Sequence, residues 1–409
     1  MGQLSIYLPP FSSDYAGICS ALFDFNCLVA INDANCCTLN YVDYDEPRWA
    51  VAKKTTLCTE LRTIDAVFGN DAKVVSQVTE AAARLKPDFI AVLGSPVPAI
   101  IGMDMKGIAS EIEITSGIPT FGFNSTGFSY YDKGVSAAAH ALLERYAEKT
   151  VHKEPNGVNI LGLTPLDYSA NENSELLSAF LEDGGFEVVG SFFMQTNIEQ
   201  LHRAGSAAVN LVVSASGLPT ARYLKQRFGT PYVAASPQGL GYGKHILELL
   251  RRSAASGQDY AEKTQKAAEE ACGEDYMEKM QNAAEGACGE GTAALLIVGD
   301  QIMASSLRSA LCLAGDRRPI TVASFFGCDE EIAQPGDLWL KDEKQLIDLL
   351  RSGRYGALVG DPLLQTIPES EGTMFFGLPH PVVSSRLNWD RVPLFAAAEF
   401  DSFLSMIVG

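Results

Sequence analysis

Residues 89–123, FIAVLGSPVPAIIGMDMKGIASEIEITSGIPTFGF, decide the architecture of the chain. The apolar run 89–93 predicts a buried strand, which stops at a Gly-Ser-Pro turn. Residues 100–116 predict a loop and a helix, and residues 119–123 predict the next strand. A strand, a helix and a second strand in this order are typical of a parallel α/β layer.

The same alternation of strands and helices continues along the chain and divides it into units. We predict an α/β fold with three Rossmann-like domains built on parallel sheets. The polar, proline-containing segment 147–156 (AEKTVHKEPN) has the composition of a linker. The predicted domains cover residues 1–150, 151–256 and 292–409, with an insert at 257–291 between the last two.

The insert contains a tandem repeat of 16 residues, in which DYAEKTQKAAEEACGE (259–274) is followed by DYMEKMQNAAEGACGE (275–290). Its Ala, Glu, Lys and Gln residues favour helix, and each glycine is a suitable helix stop. We therefore predict a duplicated helical insert on the surface. Cys272 and Cys288 recur with the repeat, so duplication explains them better than metal binding does.

Composition excludes several classes of protein. The formal charge of −19 and the absence of a basic cluster argue against a nucleic-acid partner. No apolar run approaches the roughly 20 residues that span a bilayer, so no membrane segment is expected. The N-terminal sequence MGQLSIYLPPF lacks the basic and apolar regions of a signal peptide, so we expect a cytoplasmic protein.

Motifs for common cofactors and nucleophiles are missing from the sequence. There is no phosphate-binding GKS/T loop, no nucleophile elbow and no HExxH, and GLGYG (239–243) lacks the required spacing after a clear strand. ATP hydrolysis by this chain and NAD or FAD binding are therefore poorly supported. The five histidines show no zinc-type spacing, and only His380, which lies between two prolines, stands apart.

The thiols are the best candidates for chemistry. Nine cysteines without a secretion signal favour reduced thiols, some of them metal-bound. Cys36 and Cys37 follow the apolar run 28–31 in an Asp-Ala-Asn turn, and Cys58 lies 21 residues after Cys37. A strand end that delivers thiols into a loop suits a metal cluster or a reactive thiol. Adjacent cysteines rarely bind one metal together, so one of the pair is expected to be only a neighbour.

The number of thiols in this region is small for a cluster. Iron–sulfur clusters usually need four thiolates, and about two are available here, so a cluster that bridges two subunits would meet the shortage. For Cys58, a buried thiol at the start of a Thr-rich helix is an open alternative. Cys19 and Cys27 lie in an apolar stretch and are expected to be buried as small hydrophobic residues.

Short motifs along nearly the whole chain resemble those of nitrogenase component 1 and its relatives, the protochlorophyllide-type reductases and the cofactor-assembly scaffolds. The motifs are PP (9–10), DYAG (14–17), DANCCTLNY (33–41), TELRTIDAVFG (59–69), GSPVPAIIGMD (94–104), GIPTFGF (117–123) and GDQIMASSL (299–307). The resemblance implies three Rossmann-like domains. It also implies an iron–sulfur cluster at a subunit interface that is reduced by a separate, ATP-dependent iron protein.

Under this resemblance the central cluster cysteine of the family falls on Cys37, and Cys36 is a less likely ligand. Serines, Ser13 and Ser95, occupy two other positions where the family often has cluster cysteines. The regions of the nitrogenase cofactor ligands contain Val213-Ser214 and Val383-Ser384, so reduction of dinitrogen is not expected.

We therefore predict that Cys37 and Cys58 bind a [4Fe–4S]-type cluster across a two-fold or pseudo-two-fold interface, with two thiolates from each subunit. The protein would be a nitrogenase-like oxidoreductase component, in a homodimer or with a paralogous subunit. It would accept electrons from the iron protein and reduce a small molecule bound in a cleft between the three domains. The alternatives are a cluster or cofactor scaffold and a non-catalytic partner subunit.

Overall fold

The computed structural model describes residues 5–52, 54–260 and 294–409. Within these ranges the strands form three sheets, and every pair of neighbouring strands is parallel. The predicted α/β class with parallel sheets is confirmed. The repeat insert from residue 261 on, with Cys272 and Cys288, lies outside the described residues.

The three sheets follow one another along the chain. The first contains β1 Cys27–Ile31, β2 Thr56–Cys58, β3 Phe89–Leu93 and β4 Thr120–Phe123 in the order β2-β1-β3-β4. The second contains β5 Glu154–Leu161, β6 Glu187–Phe192, β7 Ala207–Val212 and β8 Tyr232–Ala234 in the order β6-β5-β7-β8. The third contains β9 Ala294–Val298, β10 Ile320–Ser324, β11 Leu338–Trp339, β12 Tyr355–Gly360 and β13 Met374–Gly377 in the order β11-β10-β9-β12-β13.

Helices connect the strands and cover the sheets. They are α1 Asp14–Leu22, α2 Cys36–Asn40, α3 Thr63–Phe68, α4 Asp71–Leu85, α5 Pro96–Ile101, α6 Met105–Ser116, α7 Tyr131–Tyr146, α8 Pro165–Tyr168, α9 Asn173–Asp183, α10 Ile198–Arg203, α11 Leu218–Phe228, α12 Gly239–Ser256, α13 Gln301–Leu313, α14 Glu343–Arg351, α15 Pro381–Ser384 and α16 Ala398–Val408. The predicted linker 147–156 is partly wrong, because β5 already begins at Glu154 and pairs there with Ala207. The domain boundaries themselves stay a prediction.

Two glycines let α1 and α7 cross with their backbones in contact. A Cβ atom on Gly17 would lie 2.0 Å from the Tyr131 carbonyl oxygen, and one on Gly134 would lie 1.8 Å from the Asp14 carbonyl oxygen. All nine residues of α1 are buried. The position of α1 matters for the site because Tyr15, its second residue, lies near Cys37.

The segment before α1 joins the first unit to the third. The carboxylate of Glu343, at the start of α14, accepts hydrogen bonds from three consecutive backbone N–H groups, those of Ile6 (2.7 Å), Tyr7 (2.8 Å) and Leu8 (2.7 Å). Further along, the Phe11 ring packs edge-on against Phe325, with 5.2 Å between ring centres. These contacts fix the N-terminal segment against the third sheet.

Candidate functional site

The segment at residues 33–37, here called the thiol turn, follows the carboxyl end of β1 and is organised by Asp33. The fully buried carboxylate of Asp33 accepts hydrogen bonds from the Thr38 N–H (3.0 Å) and hydroxyl (3.4 Å), and from the Cys36 thiol (3.7 Å). Asn35 supplies the left-handed residue of the turn (φ +89°), a conformation that Asn tolerates better than most residues. Asp33 therefore holds the chain as it turns from β1 into α2.

Three potential ligand side chains meet in this turn. One ligand atom from each of Asp33, Cys36 and Cys37 lies within 4.8 Å of the others, and this is the one such group of three or more among the described residues. Cys36 is exposed, while Cys37 is half-buried and packs against the hydrophobic core. The two cysteines begin the short helix α2 rather than lying in an open loop.

Cys58 contacts the backbone carbonyl oxygen of Asp33 and not its carboxylate. It is the last residue of β2 and pairs with Ile31 of β1, so the alternative of a helix start is wrong. Its thiol donates to the Asp33 carbonyl oxygen (3.3 Å) and accepts from the Glu60 N–H (3.4 Å). Cys58 is therefore outside the group formed by Asp33, Cys36 and Cys37, and its role as a ligand stays a prediction.

Ser13 and Ser95 are the serines that the resemblance places at cluster-cysteine positions of the family. Ser95 is fully buried, and its hydroxyl donates to the carbonyl oxygen of Asn32 (2.8 Å), the residue before Asp33. Ser13 precedes α1 and forms a bridge with Tyr130. The Ser95 hydroxyl therefore supports the backbone at the end of β1.

The environment of Cys37 keeps its thiol protonated. Burial raises the pKa of Cys37 to about 12, with further contributions from the Asp33 carboxylate and Cys36, whereas a hydrogen bond with Tyr15 acts in the opposite direction. A thiolate is the form that binds a metal, so binding at Cys37 must release a proton.

This pKa predicts the reactivity of Cys37 in iron-free protein. In a Cys36→Ser variant, the rate of iodoacetamide labelling at Cys37 should rise about tenfold per pH unit from pH 7 to 10, since only the thiolate reacts. Peptide mass spectrometry at several times gives the rate. The same variant in denaturant is the control, and its rate should level off near the ordinary thiol pKa of about 8.5. A plateau below pH 9 in the folded protein would contradict the expectation.

A second polar cluster lies where strand ends of the three sheets face one another. Asp167 follows β5 and accepts hydrogen bonds from the Tyr131 hydroxyl and from the Thr164 hydroxyl (2.9 Å). The Nε2 atom of His380 lies 3.6 Å from the same carboxylate. The backbone N–H of His380 donates to the carboxylate of Asp361 (2.9 Å). His380 is thus a buried residue between the sheets.

Asp300, in the GDQ motif after β9, joins this cluster. Its carboxylate accepts from the N–H groups of Ala215 (3.0 Å), Ile302 (3.0 Å) and Met303 (3.1 Å). Burial, with the nearby charge of Asp167, raises the pKa of Asp300 to about 7. Ser214, which the resemblance places in a cofactor-ligand region, is buried, and its hydroxyl donates to the Gly162 carbonyl oxygen (2.7 Å).

Sequence reasoning missed two acidic residues of these sites, Asp33 as the organiser of the thiol turn and Asp167 as the centre of the second cluster. Both follow the carboxyl end of a parallel strand. Polar side chains at that edge are the usual place for function in α/β sheets, so this rule could have identified them.

Comparison with known proteins identifies the family of the chain. The family model described as nitrogenase component 1 type oxidoreductase matches residues 35–396 of the 409-residue chain. The chain belongs to this family. The predicted resemblance is therefore confirmed.

Relatives of this component 1 chain include proteins of several descriptions. A nitrogenase iron-molybdenum cofactor biosynthesis protein NifE from Clostridium pasteurianum is 26% identical over 256 residues, which are 62% of this chain and 54% of the relative. A nitrogenase molybdenum-iron protein alpha chain from Methanosarcina barkeri is 23% identical, over 52% of this chain and 40% of the relative. One subunit of the light-independent protochlorophyllide reductase from Zygnema circumcarinatum is 27% identical, over 42% of this chain and 36% of the relative.

The component 1 chain spans about half the length of the first curated relatives that it matches. A solved structure titled "Nitrogenase Cp1 at pH 6.5" superposes with a TM-score of 0.69 at 14% identity and covers 100% of this chain and 94% of the other. This likeness supports the fold. Among the described helices of the component 1 chain, none combines the length and the apolar character needed to cross a bilayer.

Proposed function

We propose that this chain is a nitrogenase-like reductase subunit that holds an iron–sulfur cluster at a subunit interface. The observation that carries the proposal is the half-buried thiol of Cys37 beside Asp33 and the exposed Cys36, at the carboxyl end of β1 in a chain of the component 1 family. Thiolates are the usual ligands of iron–sulfur clusters.

The thiolates that one chain offers in this region are enough for half of a cluster site shared by two subunits. One chain offers too few thiolates here for a [4Fe–4S] cluster, whereas Cys37 and Cys58 from each of two subunits would supply four. Because Cys58 points its thiol at the Asp33 carbonyl oxygen, it would have to give up this 3.3 Å contact to bind iron. Cys36 is the second candidate for that position, since it already lies in the same group as Cys37.

The surface around the thiol turn supports a partner at this place. Helix α3 follows Cys58 and exposes Ile64, Val67 and Phe68, and Phe68 is 82% exposed. Helix α5 packs beside α3, follows Ser95, and exposes Ile100. Exposed apolar side chains in this number are a mark of protein–protein contact. We propose that this face serves contacts with a second copy or a paralogous subunit, and with an ATP-dependent reductase resembling the nitrogenase iron protein.

The residues of the chain have distinct tasks in this proposal. A bound cluster supplies one-electron chemistry for the reduction of a small molecule. Cys37 gives up its proton and becomes a thiolate ligand, Asp33 holds α2 in place, and the nearby Tyr15 hydroxyl favours the thiolate form of Cys37. None of these tasks requires the chain to hydrolyse ATP itself.

Iron and acid-labile sulfide analysis of anaerobically purified protein tests the proposal. We expect about four iron and four sulfide per dimer, together with the electron paramagnetic resonance signal of a reduced [4Fe–4S] cluster. Protein reconstituted and purified under strict anaerobiosis that holds less than about one cluster per dimer would overturn the proposal. Complete absence of iron and of colour in that protein would, in addition, favour a clusterless partner subunit.

A scaffold for cluster or cofactor assembly is the second candidate function. It is favoured by the cofactor biosynthesis protein among the relatives and by the serine and valine side chains of Ser214 and Val383, which are poor metal ligands. Turnover assays with the iron protein and ATP separate the two functions. A reductase subunit reduces its substrate repeatedly, whereas a scaffold transfers its cargo once and does not turn over.

A further inference from the structure

A cavity of about 480 Å³ lies beside the thiol turn, between the N-terminal segment, the π-helical turn Tyr41–Asp45 that follows α2, and α15. This volume is in the range of small-molecule sites. The apolar part of its lining includes Pro10, Phe11, Val382 and Val383. The polar part includes serines, Asn40 and tyrosines, and the only charged side chain in the described lining is that of Asp45.

Asp45 is a buried carboxylate that neutral groups hold in place. It is 5% exposed, and it accepts hydrogen bonds from the Ser12 hydroxyl (2.7 Å) and the Asn40 amide (2.8 Å). A carboxylate has about four acceptor positions, so roughly two remain for a ligand. The described lining includes no lysine, arginine or histidine to balance its charge.

Burial raises the pKa of Asp45 to about 6. The hydrogen bonds from Ser12 and Asn40 lower this pKa, and the neighbouring Glu46 raises it. At pH 8 the Asp45 carboxylate is therefore ionised although it is buried. A buried charge of this kind gains most from a partner of opposite charge.

We infer that this cavity binds a small molecule that joins a protonated amine or amidine to an apolar body. The cationic group donates to Asp45, and the apolar body lies against Phe11, Val382 and Val383. Anions such as carboxylates and phosphates are disfavoured, because the described lining offers them a buried negative charge and no basic side chain. The Arg386 guanidinium is not part of this lining and lies over the ring of Tyr44, 5.5 Å from its centre.

The cavity also has a connection to the thiol turn. Tyr15 lines the cavity, and its hydroxyl is near enough to Cys37 to lower the pKa of that thiol. A ligand here would lie one side chain away from the proposed cluster. Binding of a ligand in this cavity does not depend on the proposed function. That the ligand is the substrate of the reductase does rest on the proposed function.

Three probes of one shape and different charge test the inference. Benzylamine, benzyl alcohol and benzoate are titrated into the purified full chain at pH 8 by isothermal titration calorimetry. Benzylamine should bind at least about tenfold more tightly than benzyl alcohol, the effect of one charge-assisted hydrogen bond, and benzoate should bind more weakly than either. No binding of benzylamine, or equal binding of benzoate, would overturn the inference.

Variants localise the binding. Asp45→Asn should weaken benzylamine about tenfold and leave benzyl alcohol within about twofold. Asp43→Asn, an exposed carboxylate in the same turn, is the matched control and should change neither affinity. Val383→Phe should abolish binding of benzylamine and benzyl alcohol by filling the cavity, and it decides the matter if Asp45→Asn does not fold. Unchanged benzylamine binding in a folded Asp45→Asn or Val383→Phe protein would overturn the inference.

The same titrations distinguish this inference from the proposed function. A wild-type protein that binds benzylamine but never holds iron would overturn the cluster and support the cavity. Cluster-loaded protein that fails to bind benzylamine would support the cluster and overturn the inference about the cavity.

Discussion

Replacing Cys37 by alanine is expected to reduce the iron content of the anaerobically purified protein to less than about a tenth of the wild-type value. Each dimer would lose two of its four proposed thiolates, and two thiolates do not retain a [4Fe–4S] cluster. Iron and sulfide per chain, together with the visible absorbance of the cluster, measure the loss. The fold should survive, because Cys37 is only half-buried and alanine suits the short helix α2.

Three further variants show which thiols accompany Cys37. Cys58→Ala should lose iron to the same extent, and Cys36→Ala should retain it. Cys19→Ala is the control, since this thiol is fully buried inside α1 and far from solvent. Full iron content in Cys37→Ala would contradict the cluster site. Loss of iron in Cys36→Ala, with retention in Cys58→Ala, would assign the second position to Cys36.

Gly134→Ala is expected to lower the free energy of unfolding by about 3 kcal/mol, at the upper end of overpacking effects in protein cores. The new Cβ would lie 1.8 Å from the Asp14 carbonyl oxygen, a backbone atom that no side-chain rotation can move. Helices α1 and α7 must therefore separate. The shift would move Tyr15 with α1 and change its position relative to Cys37.

Urea denaturation of Gly134→Ala and of a matched variant measures this effect. Gly241 lies in α12 and is exposed, and a Cβ there meets no atom within 4 Å. Gly241→Ala should therefore raise the free energy of unfolding by about 0.5–1 kcal/mol, through the better helix propensity of alanine. Equal stability of the two variants would show that α1 and α7 do not touch as described.

Much of the fold can be predicted from the sequence because its strands are buried on both faces. Parallel strands such as β3 are therefore continuous apolar runs, and a helix with one buried face, such as α4, has a clear period. Helix α1 was not predicted, because burial on all faces removes the sequence pattern by which a helix is identified. All nine of its residues are buried, so its sequence has no polar face to reveal a helical period.

The candidate site was only partly predictable, because several of its contacts join distant parts of the chain. The thiols at residues 36 and 37 follow directly from the end of β1. The position of Cys58 depends on pairing between β2 and β1, which local sequence does not encode. Asp45 lies in the polar run DYDEP (43–47), which suggests a solvated turn, and only the packing of Ser12 and Asn40 buries it.

The hydrogen bonds from Ile6, Tyr7 and Leu8 to Glu343 impose an order on the biogenesis of the protein. These partners are separated by 335 to 337 positions, so the segment cannot dock until residue 343 has left the ribosome. At usual elongation rates this wait lasts on the order of 20–70 s. Because the following residues Pro10 and Phe11 line the cavity beside the thiol turn, their part of the lining is in place only after residue 343 has emerged. Loading of this region therefore cannot precede the synthesis of α14.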